Sequence, residues 1–241
     1  MTADRLARAV RRQLGLGRVL PLGDAGDTLW VTESAATAVL RPAAARVPGV
    51  RLGRLRIGAA GPEQAAAPAP ESAPPGALAR LPLRIEAAFE ATPDVPLPYS
   101  ARRLRDALWE AAEHGVGLEP AAVDLTVTGL LDTDRPQPAG QDAASGAVPL
   151  AGPDDTTADD AAPGDITARA AAAAVPGVAR LTARLGGHDH PARVQIAVGA
   201  GHRARDVARA VAAAVTAVTG DVTTVVVTDI APGGGVPGAR R

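Results

Sequence analysis

The sequence predicts an α+β protein built from two tandem α-β-β-α-β modules, each a three-stranded mixed sheet with two helices on one face. Three observations carry this reading. The run Val47-Pro48-Gly49-Val50 recurs as Val175-Pro176-Gly177-Val178. Each copy follows a helix-like stretch and opens a strand-like one. Strand, strand, helix and strand then follow both copies in that order, read from switches between a period of two and a period near 3.6.

Composition bounds what such modules can be. A chain of 241 residues holds one large domain or two small ones. Hydrophobic residues make up 46% but aromatics 2%, namely Trp30, Trp109, Phe89 and Tyr99. The core must therefore come from Ala, Val, Leu and Ile, which bury less area each than rings do. All 25 cationic residues are Arg. Without Lys there is no Walker-type phosphate lysine and no Schiff-base amine. The formal net charge of −1 points to no oppositely charged partner. The absence of Cys excludes disulfides, thiol catalysis and cysteine-ligated zinc, and fits a reducing compartment. No apolar run is long enough for a spanning helix, and no apolar core follows the N-terminal arginines as in a secretory signal. The expected location is the cytoplasm.

Residues 1–27 read as a basic N-terminal arm. Leu6, Val10 and Leu14 make one helical stripe over 3–14, with Arg5, Arg8, Arg11 and Arg12 around it. Such a helix either packs on the nearest module or docks on a partner or an anionic surface. The first module spans 28–131. Leu29-Trp30-Val31 is β-prone, and Thr32 can N-cap a helix through Leu40. Pro42 should kink or split that helix near Arg41, and Pro48-Gly49 stops it. Strand one covers 52–57 and strand two 83–89. Between them, 61–82 is a Pro-rich insertion with too few large apolar residues to order itself. A helix from Ser100 carries Leu104, Leu108 and Ala111 on its apolar stripe. Trp109 falls off that stripe, beside Arg102, Arg105 and Glu113. It either lies flat on its own module or anchors an interface with the second module or a partner. Strand three covers 123–131.

Residues 132–164 read as a disordered acidic linker, with eight aspartates from Asp132 to Asp165 against Arg135 alone. The second module, 165–231, follows with a helix through Ala174 and strands over 179–185 and 194–198. A helix over 203–219, apolar at Val207, Val211, Val215 and Val218, precedes a strand over 223–230. Residues 232–241 form a tail. The copies align with 84–89 over 193–198 and 125–128 over 225–228. A core this small leaves sheet faces such as Gln195, Ala197 and Val226 to be covered by the other module or another copy.

No catalytic constellation emerges. His188 and His190 share a turn with Asp189 but lack the further ligands zinc needs. Gly199-Ala200-Gly201 precedes a helix start, yet the third glycine of a dinucleotide fingerprint is replaced by Ala204, and a tight turn explains it better. Arg102, Arg103 and Arg105 head one helix and Arg203, Arg205 and Arg209 another, which raises a nucleic-acid reading. Against it, Phe89 is the one aromatic on a predicted strand. The acids outside the linker are scattered, so no enzyme, cofactor, metal or small-molecule substrate is expected.

The helix leading into Val175-Pro176-Gly177-Val178, the strand 194–198, the helix around Val207 and Val211 and the strand 225–227 resemble the alkaline shock protein family of bacterial envelope-stress proteins. The stretch 29–50 looks like that family's N-terminal half. The resemblance implies a non-enzymatic, self-associating cytoplasmic protein, tethered to the membrane through a partner. Duplication, Pro42 and the basic arm depart from the family pattern, so an internal pair of modules can stand where the family forms homo-oligomers. The expected function is an interaction or scaffold protein. The alternative is a small nucleic-acid-binding protein that uses the Arg-headed helices.

Overall fold

In the computed structural model, residues 15–24, 26–61, 73–74, 76–131, 163–183, 185 and 193–231 are described. Among them, eight strands form two mixed sheets, accompanied by four α-helices. In chain order these are β1 (Val19–Leu22), β2 (Leu29–Thr32), α1 (Glu33–Ala45), β3 (Val50–Ala59), β4 (Leu83–Ala91), α2 (Leu97–Glu110), β5 (Pro120–Leu130), α3 (Pro163–Ala173), β6 (Val178–Leu181), β7 (Arg193–Val198), α4 (Ala204–Thr219) and β8 (Thr224–Ile230). A π-turn, Ala111–Val116, extends α2. The first sheet runs β3-β4-β5 and the second β1-β2-β8-β7-β6. The helix 3–14, residues 62–72, most of the acidic linker, the turn holding His188 and His190 and the tail from Pro232 lie outside the described residues.

The second sheet departs from the expected three strands. Val19–Leu22, in the expected arm, and Leu29–Thr32, in the expected first module, pair antiparallel as a hairpin. That hairpin joins the far sheet, where β2 runs parallel to β8 with Leu29 opposite Val225 and Val31 opposite Val227. The physical reason is burial. All four residues of β2 are buried, so it needs cover on both faces and a neighbour on both edges. β8 is likewise buried on both faces, in keeping with its unbroken Val225-Val226-Val227 run.

The second face of this sheet is covered from within the chain. Trp30, Val226, Leu16, Val19 and Leu185 pack there, and the Gln195 side-chain carbonyl accepts from the Leu185 N–H at 2.9 Å. The back half of the insertion contributes, contrary to expectation. Ala77 bridges Val19, and Leu78 donates to the Val19 carbonyl at 2.8 Å while burying its side chain. The β1 edge thus offers unpaired backbone groups that order a segment poor in apolar residues.

Helix, strand, strand, helix and strand recur in the same order across the two halves. So do details of the backbone. Gly49 and Gly177 both adopt positive φ, 71° and 93°. The carbonyl of each accepts from the strand opposite, from Thr92 N–H at 2.9 Å and from Gly199 N–H at 2.8 Å. The β4–β5 and β7–β8 ladders each skip one threonine, Thr128 and Thr228. Each of these donates its hydroxyl to the facing strand, to the Phe89 and Ile196 carbonyls. This pairs Phe89 with Ile196, so the alignment of 84–89 over 193–198 slips by two residues. Alternating strands tolerate such a slip in sequence because a shift of two keeps every side chain on its face.

Helix α1 joins the halves. Thr32 caps it, accepting from Ala35 N–H at 3.3 Å. Pro42 does not split it; the helix continues to Ala45. The missing N–H costs one bond three residues before the helix stops anyway. Glu33 in its first turn is buried, 7% exposed. Its carboxylate accepts from Ile57 N–H of β3 at 3.1 Å and from Arg18 N–H ahead of β1 at 3.4 Å. One side chain therefore holds the helix start between the two sheets. The larger of the two packed apolar clusters spans both halves, with Leu40, Ala44, Phe89, Leu104, Val211 and Val227 in it.

Replacing Glu33 by Ala strands two donors, each costing about 1–3 kcal/mol when buried. The expected outcome is a loss of roughly that size or more in urea unfolding, with both halves unfolding together. Gly177→Ala forces a side chain into positive φ and sets its Cβ 2.7 Å from Val207 Cγ2. A loss of about 1–3 kcal/mol in the same assay is expected.

Candidate functional site

The N-terminus of α4 gathers a cluster of charge. Arg203, Arg205 and Arg209 crowd a helix start, where cations oppose the dipole. Acidic groups from the other half of the chain answer them. Arg205 donates to Glu119 at 2.7 Å and to Asp24 at 3.1 Å. Arg209 reaches Asp24 at 3.2 Å and Asp27 at 2.7 Å. Arg203 Nε donates to the Glu113 carbonyl in the π-turn at 2.9 Å.

The acids are held by their own local structure. Asp27 N–H bonds the Asp24 carbonyl at 3.0 Å, and Asp24 N–H returns to Asp27 Oδ2 at 3.0 Å. The first is the i-to-i+3 bond of a β-turn between β1 and β2, and the second closes it from the Asp27 side chain. Arg80 donates to the Asp24 and Asp27 carbonyls. Its guanidinium lies over the Trp30 ring, 5.2 Å from the centroid. The loop after the π-turn fits against this cluster. Gly117 has φ 91°, and a Cβ there would stand 2.3 Å from Arg205 Cβ.

Burial pushes the Asp27 carboxyl up, but the Arg209 hydrogen bond, the Asp24 N–H and the nearby charges of Arg209 and Arg205 outweigh it. The net result is a carboxyl held below its ordinary value. The Arg209 guanidinium is held above its own, chiefly by the hydrogen bond to Asp27. The cluster is a clamp between halves.

Beside the clamp lies an open groove of ≈ 500 Å³, lined by Leu29, Ala212, Ala213, Thr216, Val222 and neighbours. The ionisable residues on its wall are Asp27 and Arg209, which are already bonded to each other. The turn at Gly199-Ala200-Gly201 spends the Gly199 N–H on Gly177.

The residues singled out from the sequence do not converge. Arg5, Arg8, Arg11 and Arg12 lie outside the described residues. Trp109 sits near the end of α2, 38% exposed, and belongs to neither packed apolar cluster. Arg102 pairs with Asp106 at 4.0 Å on an exposed surface. Arg105 Nε donates to the Val123 carbonyl at 3.2 Å, and Arg103 lies 5.8 Å from the Tyr99 ring centroid. His114 bonds the Glu110 carbonyl at 3.2 Å. Among the described residues, no group of three His, Cys, Asp or Glu is placed to hold a metal, and no helix is long and apolar enough to cross a membrane. Sequence reasoning missed Asp24, Asp27, Arg80 and Glu119. The Asp-x-x-Asp spacing before a strand was the available signal.

A different surface exposes apolar side chains. Val127 and Leu130 are 42% and 61% exposed at the end of β5. Since β4 and β5 are parallel and α2 starts just past the end of β4, the topology brings Leu97 and Tyr99 to that same end of the sheet. Both are exposed.

Because folding depresses the Asp27 pKa, its ionised form favours the folded state. That contribution is complete above the ordinary carboxylate range near about 4 and is lost as pH falls through the lower folded value. Thermal melts from about pH 6 to pH 3 should show a steeper acid loss for the parent chain than for Asp27→Asn. Arg205→Ala should cost about 1–2 kcal/mol at neutral pH, since its acids are largely exposed, and added salt should narrow the difference. Compared with family models, with curated proteins and with solved structures, the chain matches none.

Proposed function

We propose that the protein is a non-enzymatic interaction or scaffold protein of the envelope-stress type, acting through self-association or a membrane-linked partner. In this reading the two halves are tandem copies of one α-β-β-α-β module. The recurring Gly49 and Gly177 bonds and the paired threonine bulges support that duplication. The observation that carries the function is the exposed apolar end of the first sheet, where Leu97, Tyr99, Val127 and Leu130 face outward. A chain with few aromatics and a modest core leaves such residues exposed where something covers them.

The nucleic-acid alternative loses half of its motivation. Arg203, Arg205 and Arg209 bond within the chain, which leaves Arg102 and Arg103 as an exposed pair with little electrostatic reach.

Light scattering on the full chain over a hundredfold concentration range tests the reading. Mass should rise with concentration, and binding of duplex DNA or single-stranded RNA should be undetectable even at low salt. A monomer at every concentration, together with an empty crosslinked pulldown from membranes, overturns the reading. Salt-sensitive nucleic-acid binding lost in Arg102→Ala/Arg103→Ala establishes the alternative.

A further inference from the structure

We propose that the free edge of β5 is a pairing surface for a second copy of the chain, joined antiparallel about a two-fold axis at Thr126. This rests on the self-association reading and names its surface. The four sheet edges are not alike. β1 is covered by residues 76–78. β6 has four residues and a register shift. β3 carries Arg51, Arg54 and Arg56, and its ladder shifts between Leu52 and Leu55. Short length, bulges, charge and cover are the devices that keep edges from pairing. β5 has few of them. It is an 11-residue strand whose one charged side chain is Asp124 and whose proline is its first residue. Arg105 caps the Val123 carbonyl, which blunts the N-terminal part. The stretch from Leu125 to Leu130 carries no further strand among the described residues.

Charge and shape choose the occupant. Antiparallel pairing centred on Thr126 sets Leu125 against Val127 and Asp124 against Thr128, so no carboxylate meets another. A parallel pair in register, or an antiparallel one centred on Asp124, would oppose the two carboxylates. The antiparallel arrangement is also closed, because each copy offers the same strand. It would set Val127 of each copy against Leu125 of the other, near the axis, and Leu130 of each against Ala122, at the two ends of the seam. The skipped Thr128 shortens the regular ladder, so the pair should be weak, with a Kd of roughly micromolar order for so small a contact.

Sedimentation equilibrium on the full chain tests this, with far-UV circular dichroism as the check on folding. The parent chain should dimerise, and Val127→Lys should raise the dissociation constant at least about tenfold, as expected for a charge at a paired edge. Val222→Lys, at a site 71% exposed away from this strand, should leave it unchanged. Because the chain has no Cys, Thr126→Cys should form a disulfide-linked dimer under mild oxidation, since residues opposed on the two-fold have Cβ atoms close enough to bridge. If Val127→Lys fails to fold, Leu130→Lys replaces it. A dimer that persists in the lysine variant and does not crosslink at position 126 overturns the β5 pairing and leaves self-association standing. A parent chain that stays monomeric overturns both.

Discussion

A buried carboxylate sets the geometry of this molecule. Glu33 opens α1 and is nearly removed from water. A charge in that position is costly unless donors surround it. Its donors are the positive end of its own helix and two main-chain N–H groups, from Ile57 in one sheet and Arg18 at the entrance to the other. Glu33 N–H also bonds the Arg18 carbonyl at 2.8 Å. The start of α1 is thereby fixed to both sheets before any apolar packing is counted. Shifting the hairpin would strand the carboxylate, so the N-terminal strands stay with the far sheet. The apolar cluster that spans both halves follows from that placement.

The two sheets then differ in what their residues must do. The first has one face toward water, and β4 alternates accordingly, with Ile85, Ala87 and Phe89 inside and Arg84, Glu86 and Glu90 outside. Ion pairs from Arg84 to Asp124 and from Arg51 to Glu90, each 3.0 Å, lace the outer face. Their partial exposure makes them worth little to stability; they keep the face wet. The second sheet is covered on both faces and tolerates almost no charge along β2 and β8. The acids and arginines that cannot enter it meet at its rim, where Asp24, Asp27, Arg205 and Arg209 pair.

The sequence made the local patterns legible and left the long-range ones hidden. The alternation at β4, the apolar stripe of α4 and the Val-Pro-Gly-Val stops are set within a few residues, and the elements lie close to where the periods place them. β1 was invisible because four residues including Pro21 carry no usable period. The partner of β2 was hidden for another reason: a parallel pairing with β8 nearly the whole chain away leaves no mark in either segment beyond its apolarity. Glu33 read as an ordinary first-turn acid, since nothing nearby announces burial. The order of 76–78 comes from an exposed strand edge elsewhere, not from its own composition. At the site, the arginine clusters were legible as clusters. Their partners were not, because Asp24 and Asp27 lie in a stretch whose pattern reads as an arm.

The clamp at α4 also bears on what kind of surface is left for function. Cations at a helix start are unfavourable alone, and here three of them bond acids and a carbonyl from the other half. Charge that could have recognised a ligand is spent on holding the halves together. Apolar side chains follow the opposite course. The helix α2 covers the centre of the first sheet through Leu104 and Leu108. It leaves the end bearing Val127 and Leu130 open. Since the interior already takes up Trp30, Phe89 and most of the branched aliphatic residues, the exposed ones are not a shortage of space inside. Four of them, Leu97, Tyr99, Val127 and Leu130, lie toward the C-terminal end of the one long, sparsely charged edge, and among the described residues that coincidence of an unpaired strand and exposed apolar side chains separates this edge from the other three.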